Sequence, residues 1–298
     1  MDINVSVVMP TCGRSELLER SIESVLNQSY KKFELIIIGD GVSRDTDKVI
    51  NQYSDNRVRY FKHQKNEGSA SARNTGIYKS KGKYLTFLDD DDEYRRRKIE
   101  MQLDVMKNSP ENVELLYCWM NYYTNSGQLV KRYQPNYEGY VFPEVLDRQR
   151  IGGCPTLFIR REVVTQIGGF DDRLRRGNDG DFIRRVCHKY KVKCLPKTLV
   201  NVYVDHKYER ISQTSEKSAY WEIKSQKYKL VKFRGYVNRY PRRFAFIANR
   251  IALRYAQINN YKKSIKYSIW ALSLMPFSLD NLLGIAKSVG YLFRKIDS

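Results

Sequence analysis

The side chains best suited to chemistry lie in FLDDDDEY (87–94), where four aspartates and a glutamate follow a run of strand-forming apolar residues. Adjacent carboxylates repel one another, so the cluster needs a metal ion, an arginine cage or a solvated turn. In an extended segment side chains alternate, so Asp89 and Asp91 point the same way with Asp90 between them. Two carboxylates so placed suit a hard divalent cation that keeps positions open for phosphate oxygens. An EF-hand fails: Asp89, Asp91, Glu93 and Glu100 fall at loop positions 1, 3, 5 and 12, but position 6, which wants glycine, is Tyr94. The bland alternative is an acidic turn paired with RRRK at 95–98.

Delivering those aspartates requires a strand and a sheet. NVSVVMP (4–10) reads as a buried strand, and SELLERSIESVLNQS (15–29) as a helix with Leu17, Leu18, Ile22, Val25 and Leu26 on one face. FELIIIG (33–39), apolar on both faces, reads as an interior parallel strand. DTDKVINQY and SASARNTGIYKS read as helices, VRYFKH and KYLTFL as the third and fourth strands. This βαβαβαβ order predicts an α/β fold with a doubly wound, mostly parallel sheet. Further on, RRKIEMQLDVMKN and DGDFIRRVCHKYK read as helices, VELLYCWMNYY as a strand and TLVNVYVDH as the last strand. Ligands of such sheets bind outside the carboxyl ends of the strands, so Thr11, Asp40, residues 68–74 and the aspartates should gather along one edge. Asp40, before Gly41, is also a plain turn former.

The stretches VVMPTCGR, SVLNQSYKKFELIIIGDG, NEGSASARNTGI, YLTFLDDDDEY and IGGFDDRLRRGNDGDFIRRV follow one another in the order and at the spacing of family-2 glycosyltransferases, which the chain resembles over about residues 4–210. The resemblance implies a GT-A fold over 1–215, with a nucleotide-sugar half to about residue 95 and an acceptor half over 96–215. It implies a metal-dependent, inverting transfer of a sugar from a nucleotide sugar to a hydroxyl. Pro10, Thr11 and Asp40 match positions that contact base and ribose. Gly39 stands where the family has a first acidic residue, and a uracil N–H donated to Asp40 would favour a UDP-sugar. Arg14, Gly68, Arg73, Asp89 and Asp90 complete the implied nucleotide-sugar set. Gly68 lets the backbone approach closely, and Arg73 can pair with carboxylate or phosphate. Asp90 occupies a variable position and is expected mainly to face solvent. Asp91 matches the position that holds Mn2+ or Mg2+, with Asp89 or Asp92 as alternatives and His206, after the last strand, as a further ligand. Asp179 matches the base that takes the acceptor's proton, with Asp181 as runner-up. Asn178 replaces the usual acidic residue before it, and without the resemblance Asp179 would read as a helix N-cap.

Charge divides the chain unevenly. Lys+Arg number 53 against 33 Asp+Glu, a formal +20. Residues 216–298, helical in pattern, hold 17 Lys/Arg against 4 Asp/Glu, or +13 of that total. This basic, aromatic C-terminal segment fits an anionic membrane surface or a solvated helical face. It contains one helical-hairpin repeat, too little for a solenoid, which would pack on the catalytic domain or form a homo-oligomer with a second copy. Interleaved Tyr and Arg are also a footprint of nucleic-acid binding, but no groove-reading motif accompanies them, so no nucleic-acid partner is expected. A sugar-nucleotide nucleotidyltransferase would carry a Gly-rich, basic loop after the first strand, where PTCGRSELLER supplies one Gly and one Arg. Five cysteines without CxxC spacing, no secretory signal and no run of about 20 apolar residues point to a cytoplasmic protein, at most peripheral on the inner face of the membrane. Its acceptor would be a cell-surface glycan, a lipid-linked glycan or a glycolipid.

Overall fold

The structure, a computed structural model, describes residues 3–110, 113–205 and 216–276. Two compact units divide the chain, Met1–Val145 with Gln149–Tyr208, and Leu146–Arg148 with Glu209–Ser298.

The first unit is built around two central strands that are mostly apolar, with Glu34 held by Ser6 and Arg59. β1 (Val5–Thr11) and β2 (Phe33–Gly39) are buried at every position, as parallel strands covered on both faces must be. Each fully buried Ile or Leu here contributes about 1.5–3 kcal/mol relative to exposure. α1 (Ser15–Leu26) buries Leu18, Ile22 and Val25 against this layer. α2 (Arg44–Ile50) is N-capped by Ser43, whose hydroxyl accepts the Thr46 N–H. β3 (Val58–Lys62), α3 (Ser69–Lys79) and β4 (Tyr84–Phe87) follow. A Cβ at Gly76 would meet Val8 Cγ1 at 2.3 Å, so only glycine lets α3 lie this close on β1. A larger residue at 76 would lift α3 and everything its N-terminus positions.

β5 (Glu93–Tyr94), α4 (Lys98–Lys107), β6 (Val113–Tyr123) and β7 (Leu129–Tyr133) come next, then α5 (Phe142–Val145), β8 (Leu157–Arg160), α6 (Arg161–Gln166), α7 (Asn178–Lys189) and β9 (Lys191–Tyr203). The sheet order is β3-β2-β1-β4-β8-β6-β9-β5, with β7 on β6. Pairing is parallel among β1 to β4 and between β6 and β9, and β8 runs antiparallel between β4 and β6. The carboxyl ends of β1 to β4, β6 and β9 therefore share one edge. Thr11 is level with Gly39 and Gly39 with Lys62, whereas β4 stops with Phe87 opposite Val8. The chain after β4 is thus free to fold over that edge. The last strand is longer than TLVNVYVDH suggests. It starts at Lys191, and its register against β6 slips between Cys118 and Trp119, where Leu195 is followed in the pairing by Thr198. A bulge there accommodates Pro196, which cannot donate to the ladder.

The second unit holds α8 (Glu216–Lys232), α9 (Pro241–Gln257) and α10 (Tyr261–Leu274). Ile223, Ile247, Ile251 and Tyr255 form one buried cluster, and Ala245, Ala248 and Ala271 another. Glu222, buried, is held by Arg250 and by Arg254 Nη2 at 2.8 Å, and the two cations draw its carboxyl below its ordinary value although burial opposes them. No helix among the described residues is long and apolar enough to cross a membrane.

Candidate active site

The acidic cluster is a turn rather than a continued strand. Leu88 still donates its N–H to Val8, but the Asp92 N–H returns to the Asp89 carbonyl at 3.1 Å. The turn replaces the extended backbone from which a shared side for Asp89 and Asp91 was expected. α1 grips the turn from below: Arg20 Nη2 donates to the Asp91 carbonyl at 2.8 Å and the Ser21 hydroxyl to the Asp92 carbonyl at 2.7 Å.

Arginines, not the 95–98 run, supply the countercharge. Arg14, entering α1, contacts the Asp90 carboxylate and donates to Asp91 Oδ2 at 2.8 Å. Asp90, expected to face solvent, is instead fully buried, and both of its oxygens lack an aligned hydrogen bond. Burial pushes its carboxyl up to about 6 against the pull of Arg14. The reason is geometric: a turn residue that points inward toward β1 has no water to face. Arg73, buried on α3, donates Nη2 to Asp89 Oδ1 at 2.5 Å and Nη1 to Asn178 Oδ1 at 3.3 Å. Burial opposes its charge, but attraction to Asp89 outweighs this and holds the guanidinium above its ordinary value. Beneath it Phe170 stacks on Phe182 at 4.3 Å and meets Phe87 edge-on at 5.2 Å, fixing the floor. Among 95–98, Arg97 pairs with Glu100 and Lys98 is buried.

Asn178 joins this group instead of merely lacking a charge, since its Nδ2 also donates to the Leu174 carbonyl at 3.2 Å. Gly177, at φ 76, makes the left-handed entry into α7. Asp179, half-buried, accepts the Gly180 N–H at 2.7 Å. Asp181 is buried and bonded to Arg185 Nε at 2.7 Å. Pro10 and Thr11 are buried at the end of β1. Asp40, only 4% exposed, turns inward: Oδ1 accepts the Glu67 N–H at 2.8 Å and faces His63 Nδ1 at 3.0 Å, while Oδ2 accepts the Gly68 N–H at 2.8 Å. Gly68, at φ 99, opens α3. His206 lies outside the described residues. Arg20, Ser21 and His63 are not singled out in the sequence, because their partners lie 71, 71 and 23 residues away. Cys154 is buried, and burial raises its thiol, as suits a structural cysteine.

Among the described residues no three His, Cys, Asp or Glu side chains form a metal cage. Asp89 nevertheless keeps Oδ2 outside its pairing with Arg73, on a side chain 31% exposed. A hard cation bound through one or two carboxylates, with water and substrate phosphate completing its shell, fits this oxygen donor set.

Comparisons with known proteins place the chain in one family. The family model Glycosyl transferase family 2 matches residues 6–168. An uncharacterized glycosyltransferase of Methanocaldococcus jannaschii is 28% identical over 224 residues, 72% of this chain and 76% of its own. One from Rickettsia bellii is 37% identical over 180 residues, 60% of this chain, which spans only 25% of that longer relative. Among solved structures, S. aureus TarS superposes with a TM-score of 0.66 at 14% identity, covering 97% of this chain and 54% of TarS. Its 1–349 portion in complex with UDP-GlcNAc gives 0.61, covering 91% of each chain. The mannosyltransferase PcManGT from Pyrobaculum calidifontis, in complex with GDP-Man and Mn2+, gives 0.57 at 16% identity, covering 96% of this chain and 79% of that one. At such identities the likeness is one of fold.

Proposed function

The chain belongs to glycosyl transferase family 2 and has the GT-A fold, and from that premise we propose an inverting transfer of a sugar from a UDP-sugar to a hydroxyl of a surface glycan, lipid-linked glycan or glycolipid. The observation that carries this reading is the Arg73 bridge, which ties Asp89 after β4 to Asn178 at the start of α7, next to Asp179. The groups that would serve the leaving diphosphate and the group that would serve the attacking hydroxyl are thereby held together. TarS in complex with UDP-GlcNAc supports uridine, while PcManGT binds GDP-Man, so the base must be tested.

In the proposed reaction the acceptor oxygen attacks the anomeric carbon as the bond to the diphosphate oxygen breaks, and the electron pair leaves with the nucleotide. Asp179, accessible and bonded only to a neighbouring amide among its described contacts, takes the hydroxyl proton. Asp181 is less suited because Arg185 holds it. Asp89 and Asp91 would hold Mn2+ or Mg2+, which neutralises charge developing on the diphosphate. Pro10, Thr11 and the backbone at Gly68 would line the nucleotide. The +13 of residues 216–298 supports work at the inner, anionic face of a membrane. A thermal-shift panel of UDP-, dTDP- and GDP-sugars with and without Mn2+ tests the reading. UDP-sugars should raise the melting temperature most, and only fully with metal. A shift with GDP-sugars alone would overturn the uridine assignment.

A further inference from the structure

We infer that His63 and Asp40 form a latch that fixes the 63–68 loop, which makes both positioning residues. The inference rests on the proposed nucleotide site, whose wall this loop would be.

The atoms determine the protonation pattern. An ionised carboxylate only accepts hydrogen bonds, so His63 Nδ1, at 3.0 Å from Asp40 Oδ1, carries the proton. His63 Nε2 lies 2.9 Å from Thr75 Oγ1 on α3, and that hydroxyl can donate to it. The imidazole therefore spans from the end of β2 to α3, and the carboxylate it orients takes the Glu67 and Gly68 amides at 2.8 Å each. The backbone repeats the clamp: the His63 N–H donates to the Gly39 carbonyl at 2.8 Å, and a Cβ at Gly41, where φ is 103, would meet the Asn66 nitrogen at 3.3 Å. The two amides just before α3 are thereby both taken up by Asp40. The shape of the loop is thus set by bonds within the protein, with His63 orienting the carboxylate that holds it. The nearby charges are Asp40 and, at 3.7 Å from Nδ1, Glu67.

The test compares His63→Ala, His63→Asn and His63→Gln in the full chain. The asparagine amide nitrogen can stand in for Nδ1 and keep the Asp40 bond, whereas glutamine mimics Nε2 and keeps only the Thr75 bond. Loss of a hydrogen bond to a charged group predicts about tenfold faster amide exchange at Glu67 and Gly68 in the alanine and glutamine variants, largely restored by asparagine. UDP affinity measured with Mn2+ should fall by about tenfold in the same two variants and recover in His63→Asn, with unfolding temperatures close to wild type. Unchanged exchange at 67 and 68 in His63→Ala, or an asparagine variant as impaired as alanine, overturns the latch. Faster exchange with undiminished UDP binding overturns its positioning role. If the wild type binds no UDP, the nucleotide reading fails while the exchange measurement still decides the latch.

Discussion

Residues 89–92 and 178–181 each set aspartates at a handover between elements of the same sheet edge, and the two stretches treat their carboxylates differently. In the first, Arg14 and Arg73 reach in from α1 and α3, and Asp90 is buried deeply enough to hold its proton up to about pH 6. In the second, Asp181 is locked to Arg185, while Asp179, half-buried and near enough to Arg73 to feel its charge, forms no ion pair among the described contacts. On the proposed reading, a carboxylate held in an ion pair is the poorer proton acceptor, which is why Asp179 rather than Asp181 is assigned the base. That distinction is invisible in a count of acidic residues.

The largest effect expected from this contrast is at Asp179. Asp179→Asn should lower turnover by about 10²–10⁴-fold with UDP affinity retained, because general-base catalysis contributes on that scale. Asp181→Asn should leave turnover nearly intact and reduce stability by roughly 1–3 kcal/mol, since Arg185 loses a charged partner but keeps the Ile167 and Gly169 carbonyls. Single-turnover rates and urea midpoints for the two variants check both. The reverse pattern would assign the base to Asp181 and dissolve the contrast.

A smaller effect separates the members of the first turn. Asp89→Asn should weaken Mn2+-dependent UDP binding by about tenfold, and Asp91→Ala by no more than that, because Asp89 offers the more accessible oxygen. Calorimetric titration of UDP with Mn2+ and with chelator reads the difference. Equal affinities for wild type and both variants in Mn2+ would remove the metal assignment from this turn.

Much of the fold was legible because its signals are local. VSVVMPT and FELIIIG are apolar on both faces and could only be interior strands, and the 3.6-residue spacing of Leu18, Ile22 and Val25 could only be a helix lying on them. The site was legible to the level of which strand ends converge. What escaped depended on contacts made across the fold. Arg14 meets Asp91 from 77 positions away, and a single backbone bond from Asp92 to Asp89 cancels the alternation that a strand would impose. That Asp40 also holds the loop 27 residues further on could not be read from its sequence neighbours. The early start of β9 was missed because the helix reading ran on to Lys191 and because Pro196, at a bulge, interrupts the strand pattern.

The smallest predicted effect concerns Lys98, which follows the first turn yet is excluded from its charge network. Its Nζ donates to Thr86 Oγ1 at 2.7 Å and sits 4.0 Å from the centre of the Tyr94 ring, with no carboxylate paired to it among the described residues, and burial lowers its ammonium to about 7. A lysine whose folded value is depressed contributes stability that is present above its unfolded value, about 10.4, and is lost as pH falls toward 7. Between pH 9 and 7 the wild type should therefore lose on the order of 2 kcal/mol through this group. Lys98→Met fills a similar volume without a charge, and Thr86 keeps its bonds to Tyr94 and to the Leu157 carbonyl. The variant's stability relative to wild type should thus rise as pH falls from 9 to 7 and level off below, in urea denaturations across that range. A difference independent of pH would mean that Lys98 holds the same charge folded and unfolded. The same profile in an Asp89→Asn background would show that the turn's field stops short of it, as its arginine pairing implies.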